Sequence, residues 1–285
     1  MHRAQNLENS LSIILVNYYT SDLIRKIIEK LKNENIDVVV WNNSSLEKLD
    51  YENIKVINSN INIGFGPAVN RAIKYTRNEF VLILNPDCNF ELDAIYKMYE
   101  YLKNNEDVFA VSPKILTSSN KVWPSARKLS NPFLLFFGRR SVLRFFNLSN
   151  EFLYLNRNEK VIEVEALVGT FLMFRKSVFL ELGGFDERFF FYAEDLDLSI
   201  RARKRGYKLI LLNDIFVFHS VGITRKIKNY FAEYKRAKSL IFFLIKNYPI
   251  FKFLSIFLLP ILSIYLIFLL LREILGIYIS DPFWK

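Results

Sequence analysis

The sequence predicts an α/β fold, a mostly parallel sheet with helices on both faces. Three observations predict it. Short β-branched runs alternate with helical segments from residue 11 to residue 87, the runs are near-continuously apolar, and polar or small residues follow each of them. Continuous apolar runs mark strands covered on both faces, as in a parallel sheet between helices. The polar strand ends matter because ligands of such sheets bind where the loops gather, beyond the carboxyl ends of the strands.

The elements follow in order. Ser12 to Val16 (SIILV) reads as the first strand. Thr20-Ser21-Asp22 is a helix-start signal, and Ile24, Ile27, Ile28 and Leu31 then recur at helical spacing. Asp37 to Val40, Ile54 to Ile57 and Phe80 to Leu84 are the next strands. A helix from about Pro67 to Thr76 lies between the last two, with proline in its tolerated first turn. Pro113 to Asn158 is irregular, holding Trp123-Pro124-Ser125-Ala126-Arg127 and an apolar-basic stretch, FLLFFGRRSVLRFF. It reads either as a long loop with short helices that meets a membrane-borne substrate, or as a mobile surface insertion. Val161 to Phe174 is extended again, Lys176 to Gly183 is a short helix ending in glycine, and Lys208 to Leu212 and Phe216 to Phe218 are late strands with His219 just beyond.

The stretch from Gly183 to Asp197, GGFDERFFFYAEDLD, carries the most chemistry. Five carboxylates (Asp186, Glu187, Glu194, Asp195, Asp197) surround the aromatic run Phe189 to Tyr192, and a helix then runs to Gly206. A carboxylate pair at a helix start beside aromatic surface can take a proton from a hydroxyl, its ionisation tuned by burial. The same pair can also do no more than complement the positive end of the helix dipole. Gly64-Phe65-Gly66 precedes a helix and could cradle a phosphate, or simply make a tight turn. The position of a third dinucleotide-fingerprint glycine is Val69, so that motif is absent. Asn85-Pro86-Asp87 could present Asp87 to a hard divalent cation bridging a diphosphate, or be an ordinary turn. His219 could complete such a shell, and imidazole would favour Mn²⁺ over Mg²⁺.

Composition narrows the field. One cysteine, Cys88, excludes an internal disulfide, and with two histidines it cannot make a four-ligand structural zinc site. The net charge of +10 does not point to nucleic acid, because it is concentrated. Between Arg225 and Lys252 stand eight Lys or Arg residues against one acid, Glu233. The 19 uncharged residues from Phe253 to Leu271 follow directly, and such a helix is about 28 Å long, close to the hydrocarbon thickness of a bilayer. We therefore expect a membrane-spanning or membrane-embedded helix at 253–271 and a tail at 272–285. A basic amphipathic linker at 223–252 precedes it, whose Leu240 to Phe251 could lie in the interface. The basic flank places the preceding domain in the cytoplasm. The polar opening, MHRAQNLENS (1–10), reads as a tail without a secretory leader.

Taken together, these residues resemble glycosyltransferase family 2, particularly its rhamnosyltransferase-like members. The resemblance rests on a first strand ending in VNY, on NINIGFGPAVNRA (60–72), on VLILNPD (81–87), and on the long segment 168–220 that ends in FVFHS. It implies an A-type glycosyltransferase fold over 11–222, with a nucleotide-sugar half at about 11–110 and an acceptor half at about 111–222. It also implies a nucleotide-diphosphate sugar donor, a divalent cation (Mg²⁺ or Mn²⁺), inversion at the anomeric carbon, and a saccharide or lipid-linked acceptor in cell-surface glycan assembly. Rhamnose is the sugar the resemblance favours. By the same resemblance Asp195 is the catalytic base with Glu194 its rival, Asp87 and His219 hold metal, and Asn17, Tyr18, Asn62, Gly64, Gly66, Asn70 and Asn85 lie in nucleotide-sugar-binding segments. Arg127, Gly169, Phe191 and Tyr192 fall on the acceptor side. The chain departs from the family at Trp41, where an aspartate is common; stacking by Trp41, or recognition through Asn42 or Asn43, would take its place. The metal motif also opens with Asn85 rather than aspartate. A catalytically inactive nucleotide-sugar-binding scaffold on the membrane would share the fold, but would be expected to have lost Asp87, Glu194 or Asp195.

Overall fold

The computed structural model describes residues 10–44, 46–129, 158–220, 230–253 and 263–264. The first strand, β1 (Leu11–Asn17), is followed by helix α1 (Ser21–Leu31), β2 (Asp37–Asn42) and β3 (Lys55–Asn58). Helix α2 (Phe65–Ala72) runs into a 3-10 turn, Ile73–Tyr75, before β4 (Phe80–Leu84). After the short β5 (Cys88–Asn89) come α3 (Leu92–Lys103), β6 (Val108–Thr117), β7 (Val122–Trp123) and β8 (Ala126–Arg127). The second half holds β9 (Val161–Glu163), β10 (Ala166–Leu167), β11 (Phe171–Arg175), α4 (Lys176–Glu181), α5 (Glu194–Lys204), β12 (Lys208–His219) and α6 (Tyr230–Asn247).

The main sheet has the order β3-β2-β1-β4-β11-β6-β12-β5. Its amino-terminal half is parallel, β1 pairing with both β2 and β4 and β2 with β3. The sheet is mixed overall, because β11 runs antiparallel to β4 and β6 while β12 and β6 are parallel again. The period-2 alternation of strands sorts one continuous apolar run into two cores. Ile13, Leu15, Leu82, Leu84 and Met173 face one side with Ile27, Ile95 and Met98. Ile14, Val81, Ile83, Leu172 and Phe174 face the other with Ala68, Val69, Phe179 and Leu198. Burial on both faces is why these strands carry no polar alternation.

Three expectations need correction. The two late strands are one, β12, whose register shifts between Leu212 and Phe216; His219 is its last residue, opposite Cys88 on β5. A continuous β6 continues to Thr117, into the stretch expected to be irregular, because residues 108–113 are all buried in the sheet. The described part of the expected basic amphipathic linker, residues 230–252, packs on the domain. Helix α6 packs Phe243 and Leu244, and Phe251 just after it, into a third core with Leu129, Ala166, Phe189, Ala193 and Leu196. Leu240 to Phe251 therefore turns part of its apolar surface toward the protein, while Ile250 is left 47 % exposed. Among the described residues no helix is long and apolar enough to cross a membrane. Residues 254–262 and 265–271 of the apolar run, and the stretch FLLFFGRRSVLRFF, lie outside the described residues.

Candidate active site

The strand ends converge, but several of the asparagines there hold the scaffold. Asn17 is fully buried. Its amide donates to Asn42 Oδ1 (2.8 Å) and Glu47 Oε2 (3.1 Å), and its Oδ1 accepts the Thr20 backbone N–H (2.9 Å). Asn42 donates in turn to Asn58 Oδ1 at 2.8 Å, and Asn43 to the Gly64 carbonyl at 3.0 Å. These amides knit the loops after β1, β2 and β3 together. Trp41 does not offer a stacking face: it is 7 % exposed, sits in the second core, and spends its indole N–H on Asn43 Oδ1 (3.0 Å). The open rings at this edge are Tyr18 and Tyr19, 46 % and 50 % exposed.

The glycine pair has a different job from cradling phosphate alone. Asn62 Oδ1 accepts the Gly64 N–H at 2.9 Å, which shapes the entry to α2. A Cβ on Gly64 would lie 2.3 Å from the Phe190 carbonyl oxygen, and one on Gly66 3.1 Å from Phe185 Cβ and 3.5 Å from Glu194 Cγ. Both glycines thus let the acidic segment lie directly against the start of α2. The Phe65 N–H bonds the Phe190 carbonyl (3.0 Å), and Asn70 clamps Phe185 through both its backbone groups, 2.8 Å to the carbonyl and 2.9 Å from the N–H.

That contact presents Glu194 and Asp195 at the first turn of α5. Tyr192 and Ala193, just before it, are consecutive non-glycine residues in left-handed conformation (φ 72° and 70°). Such geometry persists only where the surroundings over-determine it, and it concentrates at functional sites. Asp195 Oδ2 accepts the Gly169 N–H (2.9 Å) and Oδ1 the Leu196 N–H (2.8 Å). Burial raises the Asp195 carboxyl above the usual aspartate range, opposed by the Gly169 N–H and by the charge of Arg127. Glu194 is 4 % exposed, and its Oε2 has no hydrogen-bond partner. Burial, and then the charge of Asp195, push it well above the carboxylate range. Burial thus raises both carboxyls, Glu194 the further of the two, because Asp195 has backbone N–H groups and the Arg127 charge on its side. Phe191 is 40 % exposed, whereas Phe189 is buried in the third core and belongs to the scaffold.

A second cluster lies where β4 and β12 end. His219 Nε2 is 3.0 Å from Asp87 Oδ1, and the Ser220 N–H bonds the Asp87 carbonyl (2.9 Å). Asp87, Cys88 and His219 bring ligand atoms within 4.8 Å of one another. The donor set fits a hard divalent cation. It offers a carboxylate and an imidazole whose buried Nδ1 has no hydrogen-bond partner, oxygen and nitrogen donors that suit Mg²⁺ or Mn²⁺, while the soft Cys88 sulfur beside them is not a donor such cations favour. Thr170, which sequence reading did not single out, joins the two clusters. Its carbonyl accepts the Asn85 N–H (3.0 Å), one residue along from the Gly169 that bonds Asp195. Nothing local in the sequence marks it, because its part is played by the backbone.

Comparisons with known proteins bear on the family and the fold. The chain is 30 % identical over 184 residues to the N-acetylglucosaminyl-diphospho-decaprenol L-rhamnosyltransferase of Mycobacterium tuberculosis, covering 59 % of each protein. It thus matches about three fifths of that relative's length. It is 24 % identical over 230 residues to rhamnosyltransferase WbbL of Escherichia coli, covering 73 % of this chain and 81 % of that one. Among solved structures it resembles the mannosyltransferase PcManGT of Pyrobaculum calidifontis in complex with GDP-Man and Mn²⁺. The TM-score there is 0.55 at 16 % identity, over 85 % of this chain and 64 % of that one. It also resembles S. aureus TarS, with a TM-score of 0.51 at 15 % identity over 83 % of this chain and 65 % of that one. At that identity these two establish the A-type glycosyltransferase-like fold. A second model, glycosyl transferase family group 2, matches residues 141–278. The model of glycosyl transferase family 2 matches residues 12–183, more than half of the sequence, and the chain belongs to that family.

Proposed function

We propose that the protein is an inverting glycosyltransferase that moves a sugar, rhamnose by preference, from a nucleotide-diphosphate sugar to a saccharide or lipid-linked saccharide. The observation that carries the reading is the pairing of a half-buried, backbone-held carboxylate, Asp195, with the Asp87–His219 cluster through the adjacent residues Gly169 and Thr170. The donor's nucleotide lies across the ends of β1 to β3, where Tyr18 offers an exposed ring. Asp87 and His219 would hold the divalent cation, which when bound supplies Lewis-acid stabilisation of the departing diphosphate. Asp195 takes the proton of the acceptor hydroxyl as that oxygen bonds to the anomeric carbon. The bond from that carbon to the diphosphate oxygen breaks on the opposite face, its electron pair leaving with the diphosphate. Two backbone N–H groups fix the Asp195 oxygens, and lone pairs remain on both to receive the proton. Glu194, whose carboxyl is raised well above the usual range by burial and then by Asp195, adjoins the base. Arg127, the exposed Phe191 and the half-buried Tyr192 border the acceptor.

The rhamnosyltransferase relatives support the sugar and a lipid-linked acceptor. The apolar run 253–271 after a basic stretch, with Phe253 68 % and Ile264 67 % exposed, supports attachment to the cell membrane with the catalytic domain on the cytoplasmic side. The decisive experiment is Asp195→Asn in the full chain. Turnover should fall by ~10²–10⁴-fold, while the thermal shift produced by the matching nucleoside diphosphate with Mn²⁺ stays as in the wild type. A variant with wild-type turnover would remove Asp195 as the base.

A further inference from the structure

Helix α6 brings a lysine onto the acidic segment that the reaction as written does not use. Asp186 and Asp197 bracket residues 187–196, the stretch that contains the aromatic run, the left-handed pair Tyr192–Ala193 and the base. Lys246 Nζ lies 2.7 Å from Asp186 Oδ2 and 2.6 Å from Asp197 Oδ1, so one ammonium ties both ends of that stretch to a single helix. Asn247 adds a 3.3 Å hydrogen bond to the same Asp197 oxygen. Beneath the ammonium, 5.8 Å away, is the buried ring of Phe189.

Neutralising charge is not what Lys246 is needed for. Asp186 already has the Arg188 guanidinium, its Nε 2.8 Å away, and Arg188 first and Lys246 after it hold that carboxyl well below the usual range. Asp197, fully buried, already has Arg201 Nε at 2.8 Å. Among the described residues, Lys246 is the cation shared by both carboxylates. Its distinct effect is to close the ends of the segment against each other, and the two left-handed residues next to Glu194 need such an outside constraint to persist.

We propose that Lys246 is a positioning residue for the base: its bridge between Asp186 and Asp197 sets the direction in which α5 presents Asp195. The inference rests on the reading of Asp195 as the base. The test compares Lys246→Met, Lys246→Arg and Leu244→Ala in the full chain, by steady-state transfer and by melting temperature. Lys246→Met leaves each carboxylate its arginine, so it should fold. Its kcat should fall on the order of 10–100-fold, the scale of a small misplacement of a reacting group, with the donor KM unchanged. Lys246→Arg, which keeps a cation able to span two carboxylates, should restore most of that loss. Leu244→Ala empties a buried site on the same helix and should lower the melting temperature while keeping kcat near wild type. A Lys246→Met variant with wild-type kcat, an unrescued Lys246→Arg, or an equal kcat loss in Leu244→Ala would each overturn the proposal while the transferase reading stands. A wild-type chain that transfers no sugar would instead overturn the reading of the base, and this inference with it.

Discussion

Replacing Gly64 with alanine tests whether the glycine pair serves the acidic segment or the donor phosphates. Gly64 has φ 93° and ψ 175°, a region that side-chain-bearing residues occupy at a cost of ~1–3 kcal/mol. The new methyl would stand 2.3 Å from the Phe190 carbonyl oxygen and 3.1 Å from its carbon and Cα. Those are backbone atoms that cannot rotate aside. The Phe65–Phe190 hydrogen bond (3.0 Å) would have to open, forfeiting about 1 kcal/mol more. The sum is roughly 2–4 kcal/mol, which for a domain of this size lowers the melting temperature by roughly 5–15 °C. Gly183→Ala is the control: φ there is 81°, with nothing within 4 Å of the added carbon. It should cost only the left-handed strain, ~1–2 kcal/mol. Scanning calorimetry of the full chain gives the stability term, and steady-state transfer gives the catalytic one. Because the atoms displaced lie two residues before Tyr192, kcat should fall more than the donor KM rises. A Gly64→Ala variant as stable as Gly183→Ala, or one whose defect lies wholly in donor KM, would refute the packing argument.

Glu194→Gln should stabilise the protein increasingly as pH rises. The folded-state pKa of Glu194 is raised by burial and then by Asp195. The stability it contributes is therefore complete below the unfolded value of about 4.3 and is lost as pH rises through the folded one. A melting-temperature difference from wild type that does not grow with pH would contradict this. Arg127→Gln should move the acid limb of the kcat profile upward, since the Arg127 charge lowers the Asp195 pKa that burial raises; an unmoved limb would separate Arg127 from the base. Asp87→Ala should abolish the Mn²⁺-dependent part of stabilisation by the matching nucleoside diphosphate, ~2.7 kcal/mol at a hundredfold excess over the dissociation constant. Survival of that part would place the cation elsewhere. Truncation before Phe253 should release the protein from the membrane fraction, and a truncated chain that still sediments with membranes would argue for another attachment.

The parts of the fold that the sequence made legible are those whose residues face helices on both sides. β1, β2 and β4 are near-continuous apolar runs, and Asn17, Asn42 and Asp87 follow directly at or after their ends. That Glu194 and Asp195 open a helix was equally legible, but whether they do more than complement its dipole was not, since a plain helix start looks the same in sequence. What stayed hidden depends on partners distant in sequence. Trp41 reads as a stacking residue at a strand end, yet register turns it toward the core with Val39. The basic character of α6 suggests a membrane face, and nothing near Lys246 says that its charge meets Asp197 almost fifty residues earlier. Gly66 looks like half of a phosphate loop until Glu194 is seen against it.

These distant contacts share one physical purpose. A base buried enough to have a raised pKa is destabilised whenever it is charged, so a side chain free to move would relax toward water. Here the first turn of α5 is fixed from several directions. Gly169 and Leu196 hold the two oxygens of Asp195, and Ser199 Oγ donates to the Asp195 carbonyl (2.8 Å) while accepting the Leu167 N–H (3.3 Å). Asn70 holds Phe185 on the α2 side, and Lys246 closes the ring from α6. Apart from Asp195's own carboxylate, each of these fixings uses a group the reaction leaves unchanged. The segment can therefore keep a strained backbone and a costly charge while the acceptor approaches past Phe191, the one ring of the run that the packing leaves well exposed.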